Sequence, residues 1–182
     1  MRTYLHPQLK TPVSAADHSE GPADAPITLV EYGDYQCPYC GQAYPIVKRL
    51  QKKLGANLRF VFRNFPLSQI HPDALDAARV AEAAALQGKF WEAHDAFYED
   101  QENLHFEGLM SMASQAGVDL DKLDKDLGAD AVGKRVEDDF ESGVRSGVNG
   151  TPTFFVNGQR YDGDWSYSPF LEYLQGLLEG EG

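Results

Sequence analysis

The sequence predicts an α/β fold in which an all-helical insertion separates a β-α-β unit from a β-β-α unit. Three observations support this fold class. Two short apolar runs flank an amphipathic stretch over residues 27–65, an Ala-rich and charged periodic block follows, and β-branched and aromatic residues return over residues 153–161. The 182 residues, 42% of them hydrophobic, suffice for one well-buried domain.

The first unit begins with a β-branched and apolar run over residues 27–32, which predicts a buried strand. Pro38 favours the first position of a helix, because its missing N–H costs nothing there, and Gly55 predicts the end of that helix. Residues 58–65 alternate in polarity and predict a second strand. A right-handed crossover would make the two strands parallel.

The middle block has the spacing of amphipathic helices, and the chain then returns to strands. The predicted helices cover residues 72–87, 89–101, 107–116, 120–127 and 129–146. An Asn-Gly turn between residues 153–156 and 159–161 predicts a β-hairpin. A last helix over residues 168–178 is expected to pack its apolar face against the sheet.

These elements divide the chain into three parts. Residues 1–26, rich in Pro, Ala and Asp without clear periodicity, are expected to form an N-terminal arm. Residues 27–67 and 148–182 would form the α/β domain. Residues 68–147 would form the inserted helical subdomain.

The charge of the chain excludes several classes of partner. A formal net charge of −12 repels phosphate backbones and anionic lipids, so we expect neither nucleic acid nor membrane as a partner. The segment after Met1 lacks the apolar core of a signal peptide, and no apolar run approaches the roughly 18 residues of a membrane span. With Met1 as the natural start we expect a cytoplasmic protein; a trimmed mature form would be periplasmic or otherwise extracytoplasmic.

The two cysteines, Cys37 and Cys40, are the candidate catalytic residues. Their spacing at the start of a helix brings the Cα atoms about 5 Å apart, within reach of an unstrained disulfide. Cys37 precedes the first helical turn, where free N–H groups stabilise an anion, so its pKa should be depressed and it should be the nucleophile. Cys40 lies one turn deeper among apolar neighbours and should act as the resolving thiol.

A zinc site is the alternative interpretation of such a cysteine pair. It needs two further ligands, and the five histidines, at positions 6, 18, 71, 94 and 105, lack the spacing of a zinc motif. We therefore expect no metal and no organic cofactor, with the Cys37–Cys40 disulfide as the redox centre.

Pro152 lies at the mouth of the predicted strand 153–156. A cis Thr151–Pro152 bond would leave the backbone of Thr151 free to pair with an extended substrate segment beside Cys37. An ordinary trans proline that starts a strand is the alternative. The expected substrate-binding residues are Thr151, Pro152 and the two residues between the cysteines, Pro38 and Tyr39.

Taken together, these features resemble the DsbA-type branch of the thioredoxin superfamily over about residues 15–180. The matching segments are DYQCPYC at 34–40, FRNFPL at 62–67, HP at 71–72, GKFW at 88–91 and GTPT at 150–153. The resemblance implies a thioredoxin fold with a four- or five-stranded sheet, an inserted helical bundle over the site and a cis Pro152. Tyr39 stands where the best-known periplasmic members carry histidine.

The resemblance also implies an acidic residue beneath the cysteines, at Glu31. Such a buried carboxylate could accept the proton of Cys40 during exchange. The alternative is a carboxylate at a strand end that is solvated or paired in a salt bridge.

We therefore expect a thiol–disulfide oxidoreductase that acts as a monomer. Its expected partners are protein or peptide thiols and disulfides, with glutathione or a thioredoxin-type protein for recycling. The alternative from another class is a redox-regulated chaperone or client-binding protein, in which the disulfide is only a switch.

Overall fold

The computed structural model of the protein describes residues 6–180. Five strands form one sheet in the order β1-β3-β2-β4-β5. The strands are β1 (His18–Glu20), β2 (Ile27–Gly33), β3 (Leu58–Asn64), β4 (Thr153–Val156) and β5 (Gln159–Tyr161). The helices are α1 (Pro38–Leu54), α2 (Ala74–Ala85), α3 (Phe90–Glu99), α4 (Phe106–Gln115), α5 (Leu120–Leu127), α6 (Asp130–Arg145) and α7 (Tyr167–Glu179). The α/β fold class with a helical insertion is confirmed.

The centre of the sheet is the parallel pair of β2 and β3, in which Leu29 lies opposite Phe60. This pairing confirms the predicted β-α-β unit. On its other side β2 pairs antiparallel with β4, which continues through the predicted hairpin into β5. The first and last parts of the chain therefore meet at β2, and the residues that follow β2 and precede β4 lie at the same edge.

Helix α1 begins where the sequence predicts it, at Pro38, with Cys37 as the residue before the first turn. Its apolar face, which includes Val47, Leu50 and Leu54, is buried against the sheet. Gly55 ends the helix with a φ of 54°, a conformation that favours glycine.

Helices α2 to α6 fill the chain between β3 and β4, where the sequence predicts the insertion. The aromatic residues Phe90, Phe97 and Tyr98 of α3 are buried in the core, as their helical spacing indicates. A 3-10 helix, Gln101–Asn103, follows α3 and reaches the loop before Cys37.

The N-terminal arm contains a strand that the sequence analysis did not assign. His18–Glu20 pairs antiparallel with β3 and forms one end of the sheet. Near the other end, the N–H of Leu9 donates to the carbonyl of Gly158 at 2.8 Å. The arm thus contacts both ends of the sheet; residues 1–5 of the predicted arm lie outside the described residues.

Two cores cover the two faces of the sheet. The larger contains Leu29, both cysteines and the apolar sides of α1, α3 and α7. The smaller contains Val30 and Tyr32 and is covered by Phe140 of α6 and by the arm. Because side chains alternate along β2, Glu31 faces the larger core, on the side of the cysteines. Among residues 6–180, no helix combines the length and the apolarity needed to cross a membrane.

Candidate active site at the start of helix α1

The two cysteines lie where the turn after β2 enters α1. Both thiols are free, and both residues are buried, Cys37 to 3% exposure and Cys40 to 0%. The two residues between them are exposed, and Tyr39 keeps 62% of its surface in solvent. Pro38 and Tyr39 therefore form the solvent-facing rim of the pair.

Hydrogen bonding lowers the pKa of Cys37 from 9.0 to about 5. The largest cause is the hydrogen bond from the thiol of Cys40; burial opposes it, and Thr151 and the backbone N–H groups of Cys40 and Tyr39 add to it. These N–H groups belong to the first turn of α1, where they have no partner inside the helix. A thiol with a pKa of about 5 is largely ionised at neutral pH.

The Cys40 thiol has the opposite tendency. Burial is the largest cause that raises its pKa well above 9.0, followed by the hydrogen bond to Cys37 and the negative charge of Glu31. The sulfur that lies deeper in the protein therefore keeps its proton while the sulfur at the rim is ionised.

Glu31 is buried to 2% exposure on β2. Its Oε1 atom makes no hydrogen bond within residues 6–180. Burial, followed by repulsion from the charge of Cys37, raises the pKa of this carboxyl from 4.5 to about 8. Of the two interpretations of Glu31, the structure fits the buried carboxyl and not the solvated or salt-bridged one. Its charge also acts on Cys40.

The loop before β4 supplies the other side of the site. The Thr151–Pro152 peptide bond is cis. When Cys37 is protonated, its thiol donates to the carbonyl oxygen of Thr151, with 3.5 Å between sulfur and oxygen. Thr151 and Pro152 are half-buried. The structure brings Cys37, Cys40 and Thr151 together across 114 positions of the sequence.

Asp34 is a site residue to which the sequence analysis gave no role. One carboxylate oxygen accepts from the backbone N–H groups of Gln36 and Cys37, at 2.8 and 3.2 Å. The other accepts from the backbone N–H of Leu67, at 2.9 Å, and lies 2.7 Å from the ring Nδ1 of His71. Asp34 thus fixes the turn into α1 to the segment after β3. Its place at the start of the DYQCPYC run was the available signal.

Gln101 is a second residue that the sequence analysis missed. Its Nε2 atom donates to the carbonyl oxygens of Tyr35, at 2.8 Å, and Cys37, at 3.0 Å. The only signal in the sequence is indirect: Gly41 lies inside a helix, where glycine is unfavourable unless another group needs the space.

The described residues offer no evident metal centre. Within residues 6–180, no three or more His, Cys, Asp or Glu side chains are grouped so that they could hold a metal ion. The chemistry that the site itself offers is that of one ionised sulfur, one protonated sulfur and a buried carboxyl.

Comparison with protein families identifies one domain type over most of the chain. A family model described as thioredoxin matches residues 14–176. The match includes both cysteines, Glu31 and the Thr151–Pro152 bond.

The curated relatives carry another name. The chain is 42% identical over 161 residues to Na(+)/H(+) antiporter NhaA 1 of Mycolicibacterium vanbaalenii, a match that covers 87% of this chain and 26% of the relative. It is 45% identical over 150 residues to NhaA 1 of Salinispora arenicola, covering 82% of this chain and 23% of the relative. The chain therefore spans about a quarter of the length of these relatives.

Several solved structures have the same fold. A thioredoxin-like oxidoreductase from Silicibacter pomeroyi is 28% identical with a TM-score of 0.79, covering 92% of this chain and 93% of its own. Oxidised BdbD from Bacillus subtilis is 24% identical with a TM-score of 0.80, covering 97% and 98%. The thiol–disulfide exchange protein α-DsbA2 from Wolbachia pipientis is 19% identical with a TM-score of 0.80, covering 90% and 88%. The likeness to the last two concerns the fold alone.

Proposed function

Because the chain belongs to the thioredoxin family and has the fold of its DsbA-like members, we propose that it exchanges disulfides with protein or peptide thiols through Cys37 and Cys40. The observation that carries this proposal is the opposite acidity of the two sulfurs. The pKa of Cys37 falls to about 5, whereas that of Cys40 rises well above 9.0. Exchange needs one nucleophile that is ionised and one that waits in its protonated form.

In the proposed cycle the Cys37 thiolate attacks one sulfur of a substrate disulfide. A bond forms between Cys37 and that sulfur, and the other substrate sulfur leaves as a thiolate, which takes up a proton. Cys40 then loses its proton and attacks Cys37, so that the intramolecular disulfide forms and the second substrate thiol is released. The substrate is reduced by two electrons and the cysteine pair is oxidised; the reverse sequence oxidises a substrate dithiol.

Glu31 and Thr151 have supporting roles in this proposal. Glu31 accepts the proton of Cys40 in the resolving step, for which a pKa of about 8 is suitable near neutral pH. The backbone of Thr151, next to the cis Pro152, pairs with an extended substrate segment, and the exposed Tyr39 provides apolar contact. The electrons reside in the sulfurs, so the cycle uses no metal or organic cofactor.

The antiporter name of the curated relatives is compatible with this proposal, because it describes the longer proteins and does not require a second reaction of the shared segment. The segment that they share with this chain is about a quarter of their length, and in this chain it is the segment that matches the thioredoxin family. We therefore propose that the shared segment is a redox module in those proteins as well.

The test uses single serine variants in a thiol exchange assay with a peptide disulfide. Cys37→Ser is expected to lose all turnover, because no ionised sulfur remains at the rim. Cys40→Ser is expected to accumulate a mixed disulfide at Cys37, seen as a mass increase that a reductant reverses. Glu31→Gln should slow the resolving step and leave the formation of the mixed disulfide nearly unchanged.

Two outcomes would contradict the assignment. One is full two-electron turnover by either serine variant, and the other is the absence of a mixed disulfide at Cys37 in Cys40→Ser. The double variant, Cys37→Ser with Cys40→Ser, is the control for exchange that does not involve the protein. Measuring the equilibrium of the wild-type pair against glutathione buffers then gives the direction in which electrons flow.

A further inference from the structure

Gln101 connects the inserted helices to the backbone that carries the reactive sulfur. It begins the 3-10 helix after α3, and one side-chain nitrogen donates to two carbonyl groups, those of Tyr35 and Cys37. The Cys37 carbonyl also accepts the backbone N–H of Gly41, at 3.0 Å, which is the first hydrogen bond of α1. Gln101 therefore binds the junction at which the loop becomes the helix.

Gly41 gives a second line of evidence for the importance of this contact, because any larger residue at position 41 would collide with Gln101. A Cβ atom at position 41 would lie 2.1 Å from Oε1 of Gln101. Glycine in the interior of a helix lowers the stability of the helix relative to alanine. The residue after Cys40 therefore leaves room for the side chain of Gln101, at a cost in helix stability.

The position of Gln101 has an electrostatic consequence for Cys37. Carbonyl oxygens carry partial negative charge, and the carbonyl oxygens of Tyr35 and Cys37 belong to the backbone segment that carries the Cys37 sulfur. A donor bound to both oxygens offsets this charge. It also fixes the peptide planes ahead of Tyr39 and Cys40, whose N–H groups stabilise the thiolate.

We propose that Gln101 is a positioning residue that holds the backbone around Cys37 so that its sulfur remains a reactive thiolate. This inference rests on the proposed function and deepens it. The helical insertion then takes part in the chemistry of the site through one side chain, in addition to covering the sheet.

The test measures how the alkylation rate of Cys37 depends on pH in the reduced protein. Gln101→Ala removes the donor and should move the midpoint to higher pH, lowering the rate near the midpoint about threefold to tenfold, the usual effect of one hydrogen bond. Gln101→Glu keeps the size but replaces the donor by a charged acceptor, so its shift should be larger. If Gln101 only stabilised the fold, the pH midpoint would not rise in the order wild type, Gln101→Ala, Gln101→Glu.

Two further variants serve as controls. Gln87→Ala removes a glutamine that donates to the carbonyl of Asp119 at 3.0 Å and accepts from its backbone N–H at 2.9 Å, and should leave the pH profile of Cys37 unchanged. Gly41→Ala adds a Cβ atom that should push the side-chain amide of Gln101 away, while residue 101 remains glutamine. It should shift the pH profile of Cys37 in the same direction as Gln101→Ala. If one of the Gln101 variants fails to fold, Gly41→Ala and the other variant decide.

An unshifted profile in the Gln101 variants overturns the inference, and so does an equal shift in Gln87→Ala. The failure of the proposed function would look different, because turnover of the wild-type protein would then be independent of Cys37. An unshifted profile with Cys37-dependent turnover therefore rejects the role of Gln101 alone.

Discussion

Cys37 and Cys40 differ in acidity because their sulfur atoms have different partners and different depth. Cys37 receives hydrogen bonds from the Cys40 thiol and from the first N–H groups of α1, whereas Cys40 lies in the core beside the charge of Glu31. A hydrogen bond between the two thiols favours charge on the first and the proton on the second. Each sulfur therefore depends on the other, and a change at one is expected to alter the acidity of both.

At Glu31 the same burial that suits proton transfer lowers stability at high pH. The pKa of the carboxyl is raised from 4.5 to about 8, chiefly by burial and then by the charge of Cys37. Such a group contributes stability that is complete below pH 4.5 and is lost as pH rises through about 8. Glu31→Gln removes this loss. The free energy of unfolding of Glu31→Gln relative to the wild type should therefore rise by roughly 1 kcal/mol per pH unit between pH 4.5 and about 8.

The measurement is urea unfolding of the reduced wild-type and Glu31→Gln proteins at several pH values. The same pair of proteins in the Cys37→Ser background is the control, because the second cause of the shift is then absent and the stability difference should stop growing at a lower pH. A stability difference that does not vary with pH would mean that Glu31 is ionised in the folded protein.

At the level of the elements, glycine positions determine how closely the helices approach the sheet. Gly143 of α6 packs against the sheet, and a Cβ atom there would lie 2.8 Å from the ring of Phe65 and 3.0 Å from that of Tyr32. A Cβ atom at Gly176 of α7 would have no neighbouring atom within 4 Å. Position 143 therefore leaves no room for a larger side chain, whereas position 176 leaves room for one.

This contrast predicts opposite signs for the same substitution. Gly143→Ala should destabilise the protein by about 1–3 kcal/mol, because both rings must move in a packed core. Gly176→Ala should stabilise it by up to about 1 kcal/mol, because alanine favours the helix and meets no obstacle. Thermal or urea unfolding of the two variants checks this prediction. Equal effects would show that α6 does not depend on close contact at Gly143.

Most elements could be predicted from the sequence because their patterns are local. The bounds of α5, β4 and β5 are those predicted, and the other helix bounds differ by at most two residues. Strand β1 could not be found in this way, since His18–Glu20 contains no apolar residue. It forms because the edge of β3 offers backbone partners, and because the His18 ring stacks on Phe90 at 3.7 Å.

The same reason explains what was missed in the site. The cysteine pair and the Thr151–Pro152 bond have short motifs, so they could be identified from neighbouring residues. The role of Gln101 depends on contacts with two residues, 64 and 66 positions earlier in the chain, which no local pattern encodes. For Glu31 the sequence left two interpretations open, because burial is a property of the folded packing.

At the scale of the whole molecule, a buried ion pair attaches the N-terminal arm to the sheet. Arg63 of β3 bonds both carboxylate oxygens of Asp17, at 2.8 and 3.0 Å, and also the carbonyl of Thr11 and the hydroxyl of Tyr32, each at 2.9 Å. Arg63 and the Asp17 side chain are almost fully buried. Loss of one partner would leave a charge without compensation in the interior.

Asp17→Asn should therefore lower the free energy of unfolding by about 3–5 kcal/mol. The control is Asp138→Asn, which breaks the exposed pair with Lys134 and should cost less than about 1 kcal/mol. Both variants can be compared with the wild type by urea unfolding at neutral pH. Similar costs for the two variants would mean that the arm is held by its backbone contacts and not by this pair.

Because β2 pairs with β4, the site is completed only late in protein synthesis. The ribosome releases the cysteines long before Thr151, which follows Cys37 by 114 residues. A nascent chain therefore carries both thiols before the Thr151–Pro152 loop, which forms the other side of the site, has been synthesised. Full reactivity toward other proteins is expected only once translation has passed the last strand of the sheet, so that an unfinished chain is restrained from premature cross-linking.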